Sequence, residues 1–201
     1  MGTTNVLEAI RHTPSVKLIL NITTDKVYLN ENTGKAFVET DKLCGLDPYS
    51  NSKSCSELVS YSYYHSFFKS NNISLITLRA GNVIGGGDFA KNRIVPDCAR
   101  ALAKNEPIHL RHPSYTRPFQ HVLDVLCVYL KVGAKFYNTG VYNSFNVGPD
   151  KAISVEQVAI QFCKTWGSGL IEKEKEDSTK EEAQLLVLDT TKLKTELQWE
   201  P

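Results

Sequence analysis

Tyr49-Ser-Asn-Ser-Lys53 sets a phenol and an ammonium four residues apart. On a helix those positions share a face, and a nearby ammonium favours phenolate over phenol. Such a phenolate can take the proton of a sugar or alcohol hydroxyl while hydride leaves the same carbon. A surface Tyr–Lys pair has the same spacing, and with nine tyrosines in the chain a chance match is expected. Thr23-Thr24-Asp25-Lys26 offers hydroxyl, carboxylate and ammonium in succession, a set able to orient a substrate and move protons. The same residue types also make ordinary turns. Two further stretches stand out. Arg79–Asp88 (RAGNVIGGGD) is a glycine-rich loop in which backbone could approach a ligand, though it is not a GxGxxG. Arg117-Pro-Phe-Gln-His121 carries a guanidinium suited to phosphate, although a lone arginine is commonly a solvated one.

Pattern places these groups at the ends of regular elements. Val16–Ile22 and Ile73–Arg79 are nearly continuous apolar runs, as in strands of a parallel sheet buried on both faces. Between them, Pro48 opens a helix expected to run to about residue 70 and to end at Asn71-Asn72. Strand, long helix and strand make a right-handed crossover. The Thr-Asp-Lys and glycine-rich segments then lie just past strand carboxyl ends, where open α/β sheets bind ligands. Further helices are expected over 3–12, capped by Thr3 or Thr4, and over 94–104, 118–136 and 190–197. The helix over 118–136 is entered through a short strand. Ser154-Val155-Glu156-Gln157 reads as a capping box for a helix to Trp166. Short strands are expected at 108–111, 144–148 and 185–188, and loops at 29–47, 80–90 and 172–182. The fold class is α/β. Residues 1–90 read as the carboxyl-terminal half of a Rossmann-type domain. Residues 91–201 read as a mainly substrate-binding α+β subdomain, with about 120–148 returning to the sheet.

Composition narrows the function. With 23 Lys+Arg against 22 Asp+Glu, the 201 residues have a net charge of +1. They therefore lack the basic field of a nucleic-acid binder. No apolar run is long enough to span a bilayer, and the start is not a signal peptide. The five cysteines form no CxxC and read as reduced, mostly packing thiols of a cytoplasmic protein. The histidines suggest no metal site.

Taken together, TTDKVY, DPYSNSK, LRAGNVIGGGDFAKNRIVPD, RPFQHVLDVLCVYL, FNVGP and LQWEP run in order over nearly the whole chain. This series resembles the extended short-chain dehydrogenase/reductase superfamily, and within it the CDP-glucose 4,6-dehydratases. The Asp25-Lys26 pair points to that subgroup, since the dTDP-glucose enzymes have glutamate in place of Lys26. Phe119 departs from the family's usual Trp. The resemblance implies NAD as cofactor, a nucleotide-hexose substrate and a homodimer. It implies catalytic roles for Thr24, Asp25, Lys26, Tyr49 and Lys53, with Tyr49 and Lys53 also at the cofactor. It further implies sugar and pyrophosphate contacts at Asn82, Arg93 and Arg117, Arg117 foremost. The family's amino-terminal GxxGxxG strand–turn–helix does not occur in these residues. The chain therefore reads as a fragment entering the family pattern past about four strands, and alone it is expected to be inactive and to bind NAD weakly. Three readings stay open: a fragment of a CDP-glucose dehydratase, a related dehydratase or 4-epimerase acting on another sugar nucleotide, or a truncated non-catalytic chain.

Overall fold

The computed structural model describes residues 1–149, 151–174 and 185–200. Its central sheet is parallel and three-stranded, in the order β1 (Leu18–Ile22), β2 (Ser74–Ala80), β7 (Tyr142–Val147). All seven β2 residues are buried, as the apolar run required of a middle strand. Register aligns the carboxyl ends: Ile22 pairs with Leu78, and Ala80 with Val147.

Two helices cover one face. The first, α1 (Gly2–Arg11), begins a residue earlier than expected, with Met1 at the N-cap position. Thr3 and Thr4 thus lie inside its first turn rather than capping it, and the Thr3 hydroxyl pairs with that of Ser56 instead. The second, α2 (Pro48–Tyr63), has Pro48 in its first turn and Asp47 as N-cap, accepting from the Ser50 N–H at 3.0 Å. Its course continues through a π turn, Tyr64–Phe68, and a 3-10 turn, Lys69–Asn71, until Asn72 at φ +54° ends it. The α2 face toward the sheet is polar, built of Ser50, Ser54, Ser56, Glu57 and Ser60. Small hydroxyls bring the helix close and bond across the gap: Ser54 donates to the Val27 carbonyl at 2.8 Å, and Asn21 donates to Ser56 and Ser60. On the other face, α4 (Val122–Phe136) buries Val125, Val128 and Val132 against Ile76, Leu78 and Phe145.

A second core joins α3 (Ile94–Ala103), β4 (Ile108–Leu110) and α5 (Val155–Trp166) around Cys98, Leu102, Leu110 and Ala159. The Ser154/Gln157 capping box is present. Short strands pin the connecting chain: β3 (Val83–Ile84) runs parallel to β6 (Gln120–His121), and β5 (Thr116–Arg117) antiparallel to β8 (Ile153–Ser154). A last helix, α6, spans Thr191–Leu197.

Two expectations are corrected. Leu185–Leu188 is not a strand: Leu188 alone bridges to Phe37. The loop carrying Phe37 turns back at once, Asp41 N–H bonding the Val38 carbonyl, so no ladder can extend. The charged stretch from 172 opens as strand rather than loop, since β9 (Ile171–Lys173) runs parallel to β4. Its charged side chains are those an edge strand tolerates; Lys173 forms an ion pair with Glu156, and Glu172 lies 3.3 Å from His109 Nδ1. Residues 175–182 of the expected loop lie outside the described residues.

The glycine-rich loop has a packing use as well. A Cβ on Gly81 would lie 2.6 Å from Pro118, and one on Gly85 2.8 Å from Val122. Both glycines serve close chain packing beside the Arg117 segment. Gly81→Ala should therefore cost about 1–3 kcal/mol of stability, the range for overpacking, read as a lower denaturation midpoint with an unchanged slope.

Candidate active site

The carboxyl end of β1 passes directly into a 3-10 turn, Asp25–Val27, capped by Thr24. The Thr24 hydroxyl accepts from the Lys26 N–H at 3.4 Å and donates to Asp25 Oδ1 at 2.9 Å. Asp25 is 3 % exposed, and its Oδ2 makes no hydrogen bond among the described residues. Burial pushes its carboxyl up to about 6 against the Thr24 bond and the charges of Lys26 and Arg117. Thr24 engages Oδ1, which leaves Oδ2 as the oxygen open to a ligand. The group is thus a buried carboxyl with a raised proton affinity, acted on by two nearby cations.

Lys26 is half-buried and helps line a cavity of about 460 Å³. Asn82, Arg93 and Arg117 line the same cavity. Arg117, on β5, is 5 % exposed; its Nη1 donates to the Thr116 carbonyl, and its guanidinium lies 5.5 Å from the Tyr115 ring centroid. Arg93 is exposed at the start of α3, 3.9 Å from Asp88. Lys26, Asn82, Arg93 and Arg117 are therefore brought together. Asp25 lies within electrostatic reach of Lys26 and Arg117.

Tyr49 and Lys53 stand apart from that wall, on successive turns of α2, with Tyr49 55 % exposed and Lys53 half-buried. Neither is among the described cavity-lining residues. The link between the two groups is Asp47, the α2 N-cap. Its carboxyl is held below the ordinary range by hydrogen bonds from Ser50, and the Lys26 charge adds to that effect.

A family profile described as GDP-mannose 4,6 dehydratase matches residues 1–201. The chain belongs to the GDP-mannose 4,6-dehydratase family. Against the CDP-glucose 4,6-dehydratase of Salmonella typhimurium it is 38% identical over 213 residues, covering 100% of this chain and 58% of that protein. It thus spans little more than half the length of that relative. The structure of a dTDP-glucose 4,6-dehydratase from Bacillus anthracis, in complex with NAD, superposes with a TM-score of 0.84 at 24% identity, covering 100% of this chain and 61% of that one. A UDP-glucuronic acid 4-epimerase from Bacillus cereus, in complex with UDP-glucuronic acid and NAD, gives 0.85 at 21%, over 99% and 60% of the two chains. Both likenesses are of fold: an α/β architecture with a parallel sheet.

In this member of the GDP-mannose 4,6-dehydratase family, the cavity wall holds residues that sequence reasoning passed over. Lys91 and Arg111 bring its cations to five, with Lys26, Arg93 and Arg117, against Asp88 and Asp97. That excess suits a polyanionic ligand. The His112 and Tyr115 rings stack there at 4.5 Å. Position beside the Arg117 motif was the available signal for Arg111, His112 and Tyr115.

Proposed function

We propose that the chain carries the catalytic part of an NAD-dependent CDP-glucose 4,6-dehydratase. The observation that carries this reading is the Asp25 carboxyl, buried next to Lys26, with its proton affinity raised by that burial. Removing water across C5 and C6 needs a group that gives a proton to the departing hydroxyl and another that takes the C5 proton. A 4-epimerase loses no water and needs neither. The 38% identity to a CDP-glucose enzyme supports the nucleotide assignment.

Tyr49 and Lys53 fit the nicotinamide end of NAD, because a phenol and an ammonium on one open helix face suit ribose hydroxyls. When bound, NAD supplies hydride acceptance at C4 and hydride return at C6. The Tyr49 phenolic oxygen takes the proton of the C4 hydroxyl, and Thr24 orders that oxygen and the Asp25 carboxyl. The 4-keto group acidifies C5–H, and Lys26 Nζ is the base that takes that proton. Asp25 Oδ2 protonates the C6 hydroxyl, which leaves as water. Lys26 then returns its proton to C5. The cycle leaves Tyr49 protonated and Asp25 ionised, and one proton passed through solvent from phenol to carboxylate restores both. Arg117, with Arg93 and Asn82, holds pyrophosphate and sugar. A homodimer, a cytoplasmic setting and the division of the chain near residue 90 belong to the same proposal.

Assay of the complete protein against CDP-, dTDP-, GDP- and UDP-glucose tests the reading. CDP-glucose should be converted with the highest kcat/KM, and a clear preference for another nucleotide would reassign the substrate. Lys26→Gln should slow exchange of the C5 hydrogen with D2O by about 10²–10⁴-fold, the range for a lost general base. NMR integration checks it, and unchanged exchange would remove Lys26 from that role.

A further inference from the structure

Tyr49, Lys53 and Glu57 fall at successive four-residue steps of α2, so they share one face. Glu57 is 1 % exposed and the proposed reaction does not use it. Its carboxylate ties that helix to the residue before the acid–base turn and to β2. Oε1 accepts from the Thr23 hydroxyl at 2.6 Å, one residue before Thr24. Oε2 accepts from the Thr77 hydroxyl on β2 at 3.2 Å. Arg79, 3 % exposed at the end of β2, donates from Nε to both oxygens at 2.9 Å and from Nη2 to Oε2 at 2.5 Å. Its Nη1 donates to the Tyr28 hydroxyl at 2.8 Å, and Tyr28 in turn donates to Asn146 Oδ1 on β7 at 2.6 Å. Burial opposes the Arg79 charge, but the bonds and charge of Glu57 outweigh it and hold the guanidinium firmly protonated.

We infer that Glu57 and Arg79 are positioning residues that set the depth and rotation of the Tyr49/Lys53 face relative to the Thr24–Lys26 turn. A buried ion pair is weak evidence for stability, because desolvation offsets its attraction. Here α2 is docked independently by Ser54 on the Val27 carbonyl and by Asn21 on Ser56 and Ser60. What the pair adds is alignment: it fixes one helix face to the residue that precedes the acid–base turn. Tyr28 and Asn146 extend the same chain of bonds across β1, β2 and β7.

The inference rests on the dehydratase reading, and the test separates the two. In the complete protein, Glu57→Asp keeps the charge pair but shortens the arm by one methylene. Glu57→Gln with Arg79→Met removes both charges and leaves no lone buried ion. In folded samples of either, kcat on CDP-glucose should fall about 10–100-fold, as small misplacements of reacting groups do, with KM within about threefold. A folded variant with kcat within about twofold of wild type overturns the positioning role. So does failure of both variants to fold by circular dichroism, since the pair would then hold the fold rather than the alignment. Wild-type protein inert toward every nucleotide hexose would overturn the dehydratase reading itself.

Discussion

Tyr49→Phe should reduce turnover of the complete protein by about 10³-fold or more, at the upper end of what a positioned acid–base group contributes. The change removes one oxygen from a side chain already 55 % exposed at the start of α2, whose hydroxyl makes no hydrogen bond among the described residues. Stability should therefore stay within about 0.5 kcal/mol, as for surface substitutions elsewhere. A thermal melt beside a turnover assay checks both halves. Without the phenolic oxygen the C4 hydroxyl keeps its proton, oxidation at C4 stalls, and the C5 hydrogen is never acidified. The variant should thus also fail to exchange C5–H with solvent. Near-normal turnover in a folded Tyr49→Phe protein would remove the central assignment.

Asp25→Asn should uncouple the steps instead. C4 oxidation and C5 exchange should persist, while loss of water slows by about 10²–10⁴-fold, because the amide cannot give a proton to the departing hydroxyl. The same substitution has a stability consequence with a defined sign. Burial raises the folded carboxyl to about 6 from an ordinary 3.8. Below the lower value both states are protonated and the group contributes nothing to the difference. As pH rises from about 4 to 6, the unfolded chain ionises first, so the folded state loses stability on the order of 2 kcal/mol and then levels off. Asp25→Asn should abolish that fall and leave the variant more stable than wild type by about 1–3 kcal/mol at pH 7.5. Urea titrations at pH 4.5 and 7.5 measure it, and a larger gap at the lower pH would reverse the assigned shift. Turnover limited by the acid step should likewise fall as pH rises above about 6.

Much of this was legible in the residues. The apolar runs at 16–22 and 73–79 give β1 and β2 because a middle parallel strand must be buried on both faces. The turn carrying Thr24, Asp25 and Lys26 follows from where β1 ends. Asp25 was readable as a proton donor only through resemblance, since its raised affinity for a proton comes from burial that spacing does not encode. The two-residue strands β3, β5, β6 and β8 are too short to leave any periodicity. The segment at 185–188 has strand-like residues, but among the described residues its strand pairing is a single bridge to the irregular loop at Phe37. Gly85 lines the cavity with Asn82 and Asp88, as a ligand-facing loop should, and Gly81 and Gly85 also admit Pro118 and Val122, which the sequence did not show. Glu57 escaped notice, and Arg79 was read only as the start of the glycine-rich stretch, because each alone is an ordinary polar residue in a helix or strand. Only the packing of α2 on β2 brings them together.

Incubating the complete protein with CDP-glucose and NAD in D2O, then reading the product by NMR and mass spectrometry, puts the whole reaction in view at once. The expected product is CDP-4-keto-6-deoxyglucose with one deuterium at C5 and none at C6, since C6 receives the hydrogen that left C4. Recovery of a C4 epimer without deuterium, or of unchanged CDP-glucose, would contradict a dehydratase built on Tyr49, Lys26 and Asp25.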